Sequence, residues 1–418
     1  MRLVTLAENE ILITLIALSI LLLSATIFGT LLEKIKGPRV VGEILGGMLI
    51  GGSFLFILFP TFMKGIFFAY PEEGKVLNIF YQLGLIFLMF LSGYNTDIQI
   101  DKKNIKTILL VFIGATILPM LGAIPFISMF QKYFIGEAAN NVSFALVFCI
   151  GVAITSIPVI SKIFFDMGIM NTKFSNTILT VSTFQDLCLW ILLNMATRIA
   201  TTGNVKLSEM IVVVCITLGL FVVITLVSKH VKELKKEIPT KILYSVSFVV
   251  LLFLCGILSK LGINTMYSAF IVGYIVKAIV GVGKKTKVKM EYLEHFVFSF
   301  FVPIYFALVG IQLNVIHDFS FIRFIIFFVI AFGLEFIGIW ILLLFTKMSN
   351  SMKMNFAITM NARGGPGIVL ATVAYANNII NIEFFTVLIL TTMLSSMIAG
   401  YYLRYQQKKD PKIFNSLN

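Results

Sequence analysis

Three ionisable residues stand near the centres of long apolar segments of this sequence: Asp186, Glu335 and Arg363. A charged side chain at the centre of a bilayer-spanning helix costs roughly 2.5–3.5 kcal/mol on insertion scales, so such residues usually have a partner or a function. Glu335 and Arg363 fall on successive apolar segments at similar depth, which predicts a buried ion pair between them. Asp186 is then left without a cation of its own.

A buried carboxylate without a counter-ion is unstable when ionised, because burial removes the water that solvates its charge. Asp186 can therefore stay neutral by binding either a proton or a metal cation. Hard oxygen ligands suit an alkali cation, and Gln185, the hydroxyls of Thr155 and Ser156 and nearby backbone carbonyls could supply them. We predict a site at which a proton and a monovalent cation compete, with no cofactor. A hydrogen-bonded acid with a purely structural role is the alternative for Asp186.

The chain that must position these residues is strongly apolar. Its 418 residues are 59% hydrophobic and 13% charged, with a mean hydropathy of +0.99, whereas soluble domains are about 45–50% apolar and 25% charged. This composition excludes an ordinary soluble protein and predicts an all-α polytopic membrane protein. Thirteen apolar segments, numbered here as spans 1 to 13, are long enough to cross a bilayer: 10–32, 40–59, 78–96, 107–129, 142–164, 175–197, 208–228, 242–260, 264–281, 295–314, 321–346, 354–377 and 384–403.

The basic residues between the spans predict how the chain is oriented. With the N-terminus outside, 23 of the 33 Lys and Arg residues fall on the cytoplasmic side and 8 on the outside, as the positive-inside rule requires. The net charge of +13 then reflects orientation rather than a nucleic-acid partner. We expect one transmembrane domain over 1–403 in the plasma membrane and a short basic cytoplasmic tail over 404–418.

The two halves of the sequence echo each other. Thr155-Ser156-Ile157-Pro158 in span 5 parallels Arg363-Gly364-Gly365-Pro366 in span 12, and the two prolines stand 208 residues apart. Corresponding spans are separated by seven, an odd number, so two five-helix repeats (about 40–197 and 264–403) cross the membrane in opposite directions. In the inverted-repeat plan of secondary transporters, paired Gly/Pro breaks mark the substrate site. A simple proline kink in each span is the alternative.

Four motifs resemble those of one known family: Gly37-Pro38-Arg39-Val40-Val41-Gly42-Glu43-Ile44-Leu45-Gly46-Gly47, Ser156-Ile157-Pro158-Val159-Ile160-Ser161-Lys162, Phe184-Gln185-Asp186-Leu187 and Asn361-Ala362-Arg363-Gly364-Gly365. The sequence resembles monovalent cation:proton antiporter family two, which includes the bacterial sodium/proton exchangers and the Kef-type potassium/proton antiporters. The resemblance covers essentially the whole chain. It implies thirteen helices, a homodimer, crossed broken helices in spans 5 and 12, and elevator-like alternating access.

The resemblance also assigns the cation and the proton to Asp186. Electrogenic members carry an Asp-Asp pair where this chain has Gln185-Asp186, and a Lys in helix 10, whereas no Lys or Arg lies between Lys289 and Arg323. We therefore expect one proton to be exchanged for one sodium or potassium ion, without net charge movement. No nucleotide-binding domain of the Kef type is expected in this chain.

Three rival functions are weighed against this prediction. A membrane enzyme is disfavoured because His230, His295 and His317 lie far apart at span ends, so no catalytic residues are expected. A cation channel could line its pore with broken helices. A sodium-coupled transporter of an organic anion could use the same fold, although the sequence offers no second deep base to hold the anion.

Overall fold

A computed structural model describes residues 5–95, 104–170, 172–203, 219, 240–261, 263–280, 284–316, 319–411 and 413–414. This part of the chain is helical, and its only β pairing is a single bridge between Ile135 and Ile380. Two short helices, Leu55–Leu58 and Pro60–Phe67, precede the third long helix. The long helices, labelled α1 to α15, are Glu8–Lys34, Arg39–Ile50, Glu73–Asn95, Ile105–Phe134, Asn141–Ala153, Ile157–Asp166, Lys173–Thr202, Thr240–Lys260, Thr265–Val280, Lys284–Ser299, Phe301–Gln312, Phe321–Leu343, Asn350–Met360, Gly364–Ala376 and Ile382–Lys409.

The predicted all-α polytopic fold is confirmed. Twelve of the thirteen predicted spans coincide with helices in the described ranges, and span 7 (208–228) lies outside them. Spans 5 and 12 are each broken into two helices, α5 with α6 and α13 with α14, as the paired motifs predicted. Span 10 also consists of two helices, α10 and α11. Helix α15 continues to Lys409, so residues 404–409 of the predicted tail are helical.

The surface of α1 shows why this fold needs a bilayer. Large aliphatic side chains cover its outer face, where Leu15 is 59% and Leu23 61% exposed. The opposite face includes small residues, among which Ala17 and Ala25 are fully buried. Small residues at helix contacts and aliphatic residues outside are the arrangement that lipid-embedded helices use. The chain is a multi-pass membrane protein.

The described helices belong to two compact units. The first comprises Met1–Tyr94, Ile224–Ile257 and Ser268–His317, and the second comprises Asn95–Val223, Leu258–Tyr267 and Asp318–Asn418. The second unit contains both broken helices, with α7 packed along α5 and α12 packed along α13. All of the residues predicted to form the site lie in this second unit.

In the first unit, glycines let α2 and α11 touch backbone to backbone. A Cβ on Gly47 would overlap the carbonyl oxygen of Ala307, and a Cβ on Gly310 would overlap that of Ile44. Gly47 thus packs against Ala307, which precedes Gly310 by three residues, and Gly310 packs against Ile44, which precedes Gly47 by three residues. Because both obstacles are main-chain atoms, only glycine fits at either position.

The contact between α3 and α9 repeats this geometry. A Cβ on Gly93 would overlap the carbonyl oxygen of Phe270, and one on Gly273 would overlap that of Phe90. In the inverted repeat, α2 corresponds to α9 and α3 corresponds to α11. Each of the two contacts therefore joins a helix of one half to a helix of the other half, at glycines that occupy equivalent positions. This reciprocity is what a two-fold relation between inverted repeats produces.

Candidate functional site

The two broken helices meet at their breaks. Helix α5 ends at Ala153 and α13 ends at Met360, and a short non-helical segment follows each. The backbone N–H of Ser156 donates to the carbonyl of Ala362 at 2.7 Å, and the Thr155 hydroxyl donates to the carbonyl of Met360 at 2.6 Å. Backbone groups freed by the breaks thus bond to each other across the crossing, as buried backbone in a membrane requires.

The predicted breaking residues lie at the starts of the second half-helices. Pro158 is the second residue of α6 and Pro366 the third of α14, where proline costs no helical hydrogen bond. Gly364 has φ +38°, and a Cβ on it would overlap the Ser156 hydroxyl oxygen. Gly365 has open space around its Cα. Of the two glycines, Gly364 alone is required by its backbone conformation and its packing.

Glu335 and Arg363 form an ion pair at the crossing. Arg363 Nη2 lies 3.0 Å from Glu335 Oε2, with the two side chains 1% and 0% exposed. The same Nη2 donates to the carbonyls of Val152 at 2.9 Å and Ala331 at 3.1 Å, and Glu335 Oε1 accepts from the Thr155 hydroxyl at 3.2 Å. The pair therefore ties α12 and the second break to the end of α5, where a cation is favoured by the helix dipole.

Asp186 is buried on α7, with 1% of its surface exposed. Neither of its carboxylate oxygens has a hydrogen-bond partner among the residues that the structure describes. Buried polar atoms are nearly always bonded, so two unpartnered carboxylate oxygens need a ligand or a proton to stay buried.

The other buried acids of the described ranges differ from Asp186. Glu43 accepts from Arg39 Nε at 2.8 Å, Glu73 accepts from the backbone N–H of Ala69 at 2.8 Å, and Glu335 pairs with Arg363. Each of these acids has at least one partner within the chain. Asp186 is thus set apart by its surroundings and not by its depth alone.

Gln185 connects the helix of Asp186 to two other helices. Its Nε2 donates to the carbonyl of Ala115 at 3.0 Å and to the carbonyl of Ala153 at the end of α5. Its Oε1 has no partner within the described ranges. With both amide hydrogens committed to carbonyls, the amide is held in one orientation and Oε1 remains an available oxygen.

The Ala115 carbonyl is available to Gln185 because of a distortion in α4 that the sequence patterns did not predict. Pro119 lacks the N–H that would bond to Ala115 in a continuous α-helix, and the turn Ile113–Ile117 is π-helical. Such π-turns often occur at functional sites. The signal was present in the sequence as Pro119, four residues after Ala115.

The predicted hydroxyl ligands lie at the crossing but are not bonded to Asp186. Thr155 donates its hydrogen to Met360 and Glu335, and the Ser156 oxygen accepts from the N–H of Val159 at 3.4 Å as the N-cap of α6. Ser182, one helical turn before Asp186, is fully buried, and its hydroxyl contacts the sulfur of Met360 at 3.8 Å. The i, i+4 spacing on α7 was the sequence signal for Ser182.

The three histidines lie far apart in the sequence, and one of them falls in the described ranges. His295 lies on α10, while His230 and His317 fall outside those ranges. Within them, no three His, Cys, Asp or Glu side chains are grouped to hold a metal ion.

A polytopic helical chain whose two broken helices cross near a buried carboxylate has the architecture of an ion-coupled secondary transporter. The chain belongs to the sodium/hydrogen exchanger family: the sequence model described as "Sodium/hydrogen exchanger, transmembrane" matches residues 20–405. This match confirms the resemblance found in the motifs.

Individual relatives agree with this assignment. The chain is 24% identical over 403 residues to the Na(+)/H(+) antiporter NhaS4 of Synechocystis sp., covering 94% of this chain and 96% of the relative. It is 23% identical over 408 residues to Cation/H(+) antiporter 17 of Arabidopsis thaliana, covering 94% of this chain, and it spans about half (48%) of that plant relative. The structure of the sodium proton antiporter MjNhaP1 from Methanocaldococcus jannaschii superposes with a TM-score of 0.66 at 16% identity, covering 98% of this chain and 99% of that one.

Proposed function

We propose that this protein is a secondary active antiporter that exchanges a monovalent cation, sodium or potassium, for protons at Asp186. The observation that carries the proposal is the state of that carboxylate, which is buried and has no partner for either oxygen among the described residues. It must bind a positive species to stay in the membrane interior, and a proton and an alkali cation are the two candidates.

The oxygens around Asp186 favour an alkali cation as the second ligand. Gln185 Oε1 has no partner in the described ranges, and Ser182 and the crossing residues Thr155 and Ser156 add hydroxyl oxygens nearby in the fold. Neutral oxygens with one carboxylate suit a hard, weakly binding cation. We assign the cation-binding role to these five residues and expect no catalytic residue.

Charge accounting supports exchange of one proton for one cation. The Glu335–Arg363 pair is neutral as a unit, so Asp186 carries the changeable charge of the crossing. The site is then neutral both with a proton and with a monovalent cation. A carrier that crosses only in these two forms moves no net charge.

We further propose alternating access in a homodimer of the plasma membrane, with the N-terminus outside and the C-terminus in the cytoplasm. The orientation is supported by the 23-to-8 distribution of basic residues. Alternating access is supported by the inverted repeat, whose reciprocal glycine contacts relate the two halves.

The test is proton-coupled flux in liposomes containing the full chain. A pH-sensitive dye inside the vesicles should report proton movement when sodium or potassium chloride is added outside, and Asp186→Asn should abolish it while the yield of folded protein is retained. Since the proton competes for Asp186, the cation concentration for half-maximal rate should rise as pH falls, by up to about tenfold per pH unit.

The control variant is Glu137→Gln, which changes an exposed acid in the loop before α5 and should exchange like the parent. Exchange retained by Asp186→Asn would contradict the site assignment. Cation flux without proton movement would indicate a channel, and a rate that depends on membrane potential would contradict the one-for-one stoichiometry.

A further inference from the structure

Four phenylalanine rings form one cluster in the second unit. The ring of Phe174 lies 5.7 Å from that of Phe164, 4.8 Å from that of Phe356 and 5.0 Å from that of Phe414, measured between centroids. All four side chains are 1% exposed or less. Phe164 belongs to α6, Phe174 to the first turn of α7 and Phe356 to α13, whereas Phe414 comes from the segment after α15 and completes the cluster.

Polar contacts hold the last turns of α15, just before Phe414, against the end of α6. Arg404 Nη2 lies 3.3 Å from Asp166 Oδ2 at the last residue of α6, and Gln407 Nε2 donates to the carbonyl of Met167 at 2.7 Å. Arg404 and Gln407 thus contact the end of α6 and the residue that follows it, and Phe414 contacts α7 through a buried ring. This is more structure than a short basic tail was expected to have.

The elements that meet in this cluster are the ones that carry the ion site. Helix α6 begins beside Ser156, α7 carries Gln185 and Asp186, and α13 ends at the second break. At 1.5 Å per residue, the cluster lies about 12 Å along α6 from the first break and about 18 Å along α7 from Asp186. Because the backbone of a helix is stiff over such lengths, a displacement of one end of the helix also moves the other end.

We propose that residues 404–411 and 413–414 form a C-terminal clamp that fixes the end of α6 and the start of α7 relative to one another, and that Phe414 is a positioning residue for the cation site. The inference rests on the proposed function, since it concerns the geometry of that site. The proposed ligands lie on α7 and at the break before α6, and they bind a cation well only if their spacing is held before binding. Buried packing of the helices that carry them supplies this constraint. Removing the Phe414 ring leaves a void against the ring of Phe174 and lets the first turn of α7 shift.

The test compares Phe414→Ala with Phe165→Ala in the liposome flux measurement, with rates expressed per folded molecule. Phe165 is also on α6, but it is 72% exposed and outside the ring cluster. Phe414→Ala should raise the cation Km by about three- to tenfold and change kcat by less than about twofold, because preorganised ligand spacing acts on binding. Phe414→Leu, which refills part of the volume, should restore most of the affinity, and Phe165→Ala should leave Km unchanged.

A role in folding alone would lower the yield of Phe414→Ala without changing Km per folded molecule, and that result would overturn the proposal. An equal rise in Km for Phe165→Ala would also overturn it. If Phe414→Ala does not fold, Gln407→Leu, which keeps the ring and removes one contact, should raise Km by about twofold or more, and an unchanged Km contradicts the clamp.

Hydrogen–deuterium exchange separates this proposal from the proposed function. Phe414→Ala should speed amide exchange at the end of α6 and the start of α7, near residues 160–175, whether or not the parent exchanges cations. If the parent transports no cations but Phe414→Ala still speeds amide exchange, the antiporter function is contradicted and the clamp is not. If amide exchange is unchanged in Phe414→Ala, the clamp is contradicted.

Discussion

The glycine contacts of the first unit and the peptide crossing of the second unit join helices by different physical means. At α2 and α11, the helices stay continuous through the contact, and Gly47 and Gly310 let their backbones touch without using a polar side chain. At the broken helices, the backbone leaves the helix at Thr155 and Ser156 and bonds to the facing break. The first arrangement keeps every backbone group inside a helix, and the second frees several of them.

This difference shows which kind of helix contact can hold charged and polar side chains inside the membrane. The freed carbonyls at the crossing take up Arg363 and Gln185, and in doing so they hold charged and polar side chains that lipid would exclude. The glycine contacts hold no such groups, so they are expected to respond to volume alone. The crossing should respond to hydrogen bonding and charge.

The strongest test of this comparison is Gly47→Ala. The new Cβ would collide with the backbone carbonyl oxygen of Ala307, which cannot move without shifting α11, so we expect a loss of about 4 kcal/mol or more and little folded protein. The matched control is Gly333→Ala on α12, where the Cβ meets nothing within 4 Å. That variant should gain roughly 0.5–1 kcal/mol, because alanine favours the helix. Thermal unfolding in detergent measures both, and equal stabilities would contradict the packing account.

Glu335→Gln is expected to have the next largest effect on stability, and this effect arises from charge. Removing one member of a buried pair leaves the other uncompensated, at a cost of about 3–5 kcal/mol. We therefore expect Glu335→Gln to lower the unfolding temperature more than it lowers turnover at a temperature where the protein stays folded. Glu33→Gln is the control, since its pair with Arg39 is 3.6 Å long and 38% exposed and should contribute about 0–1 kcal/mol. A larger loss of turnover than of stability would instead place Glu335 in the transport step.

Gln185→Leu tests the amide that links three helices. Leucine has a similar size and no donor, so the carbonyls of Ala115 and Ala153 lose their bonds from Nε2, at about 1–3 kcal/mol for each. The exposed Gln312 makes one similar bond, from its Nε2 to the carbonyl of Leu308 at 3.0 Å, and Gln312→Leu should be nearly neutral. Unfolding of both variants in detergent checks this difference. A neutral Gln185→Leu would mean that these carbonyls are satisfied without the amide.

These residues also show what could be predicted from the sequence. The depth of Asp186 and the paired Gly/Pro motifs follow from hydropathy and repetition, which are local properties of the chain, and both gave the correct elements. The partners of Gln185 could not be predicted in this way, because Ala115 is 70 residues away and its carbonyl is made available by a π-turn. The same limit applies to Phe414, whose ring partner Phe174 lies 240 residues earlier in the chain.

The smallest expected effect compares the two neighbouring glycines of the second break. Gly364→Ala places a Cβ against the Ser156 hydroxyl and imposes a positive φ of 38° on alanine, which costs roughly 1–2 kcal/mol. The obstacles are the side chains of Ser156 and Val159 and not backbone atoms, so the loss should stay below that of Gly47→Ala. Gly365→Ala meets nothing within 4 Å and should be neutral or slightly stabilising. Unfolding temperatures of the two variants decide the matter: if Gly364→Ala is as damaging as Gly47→Ala, the crossing is packed as rigidly as the glycine contacts. In that case the distinction between the two kinds of junction is wrong.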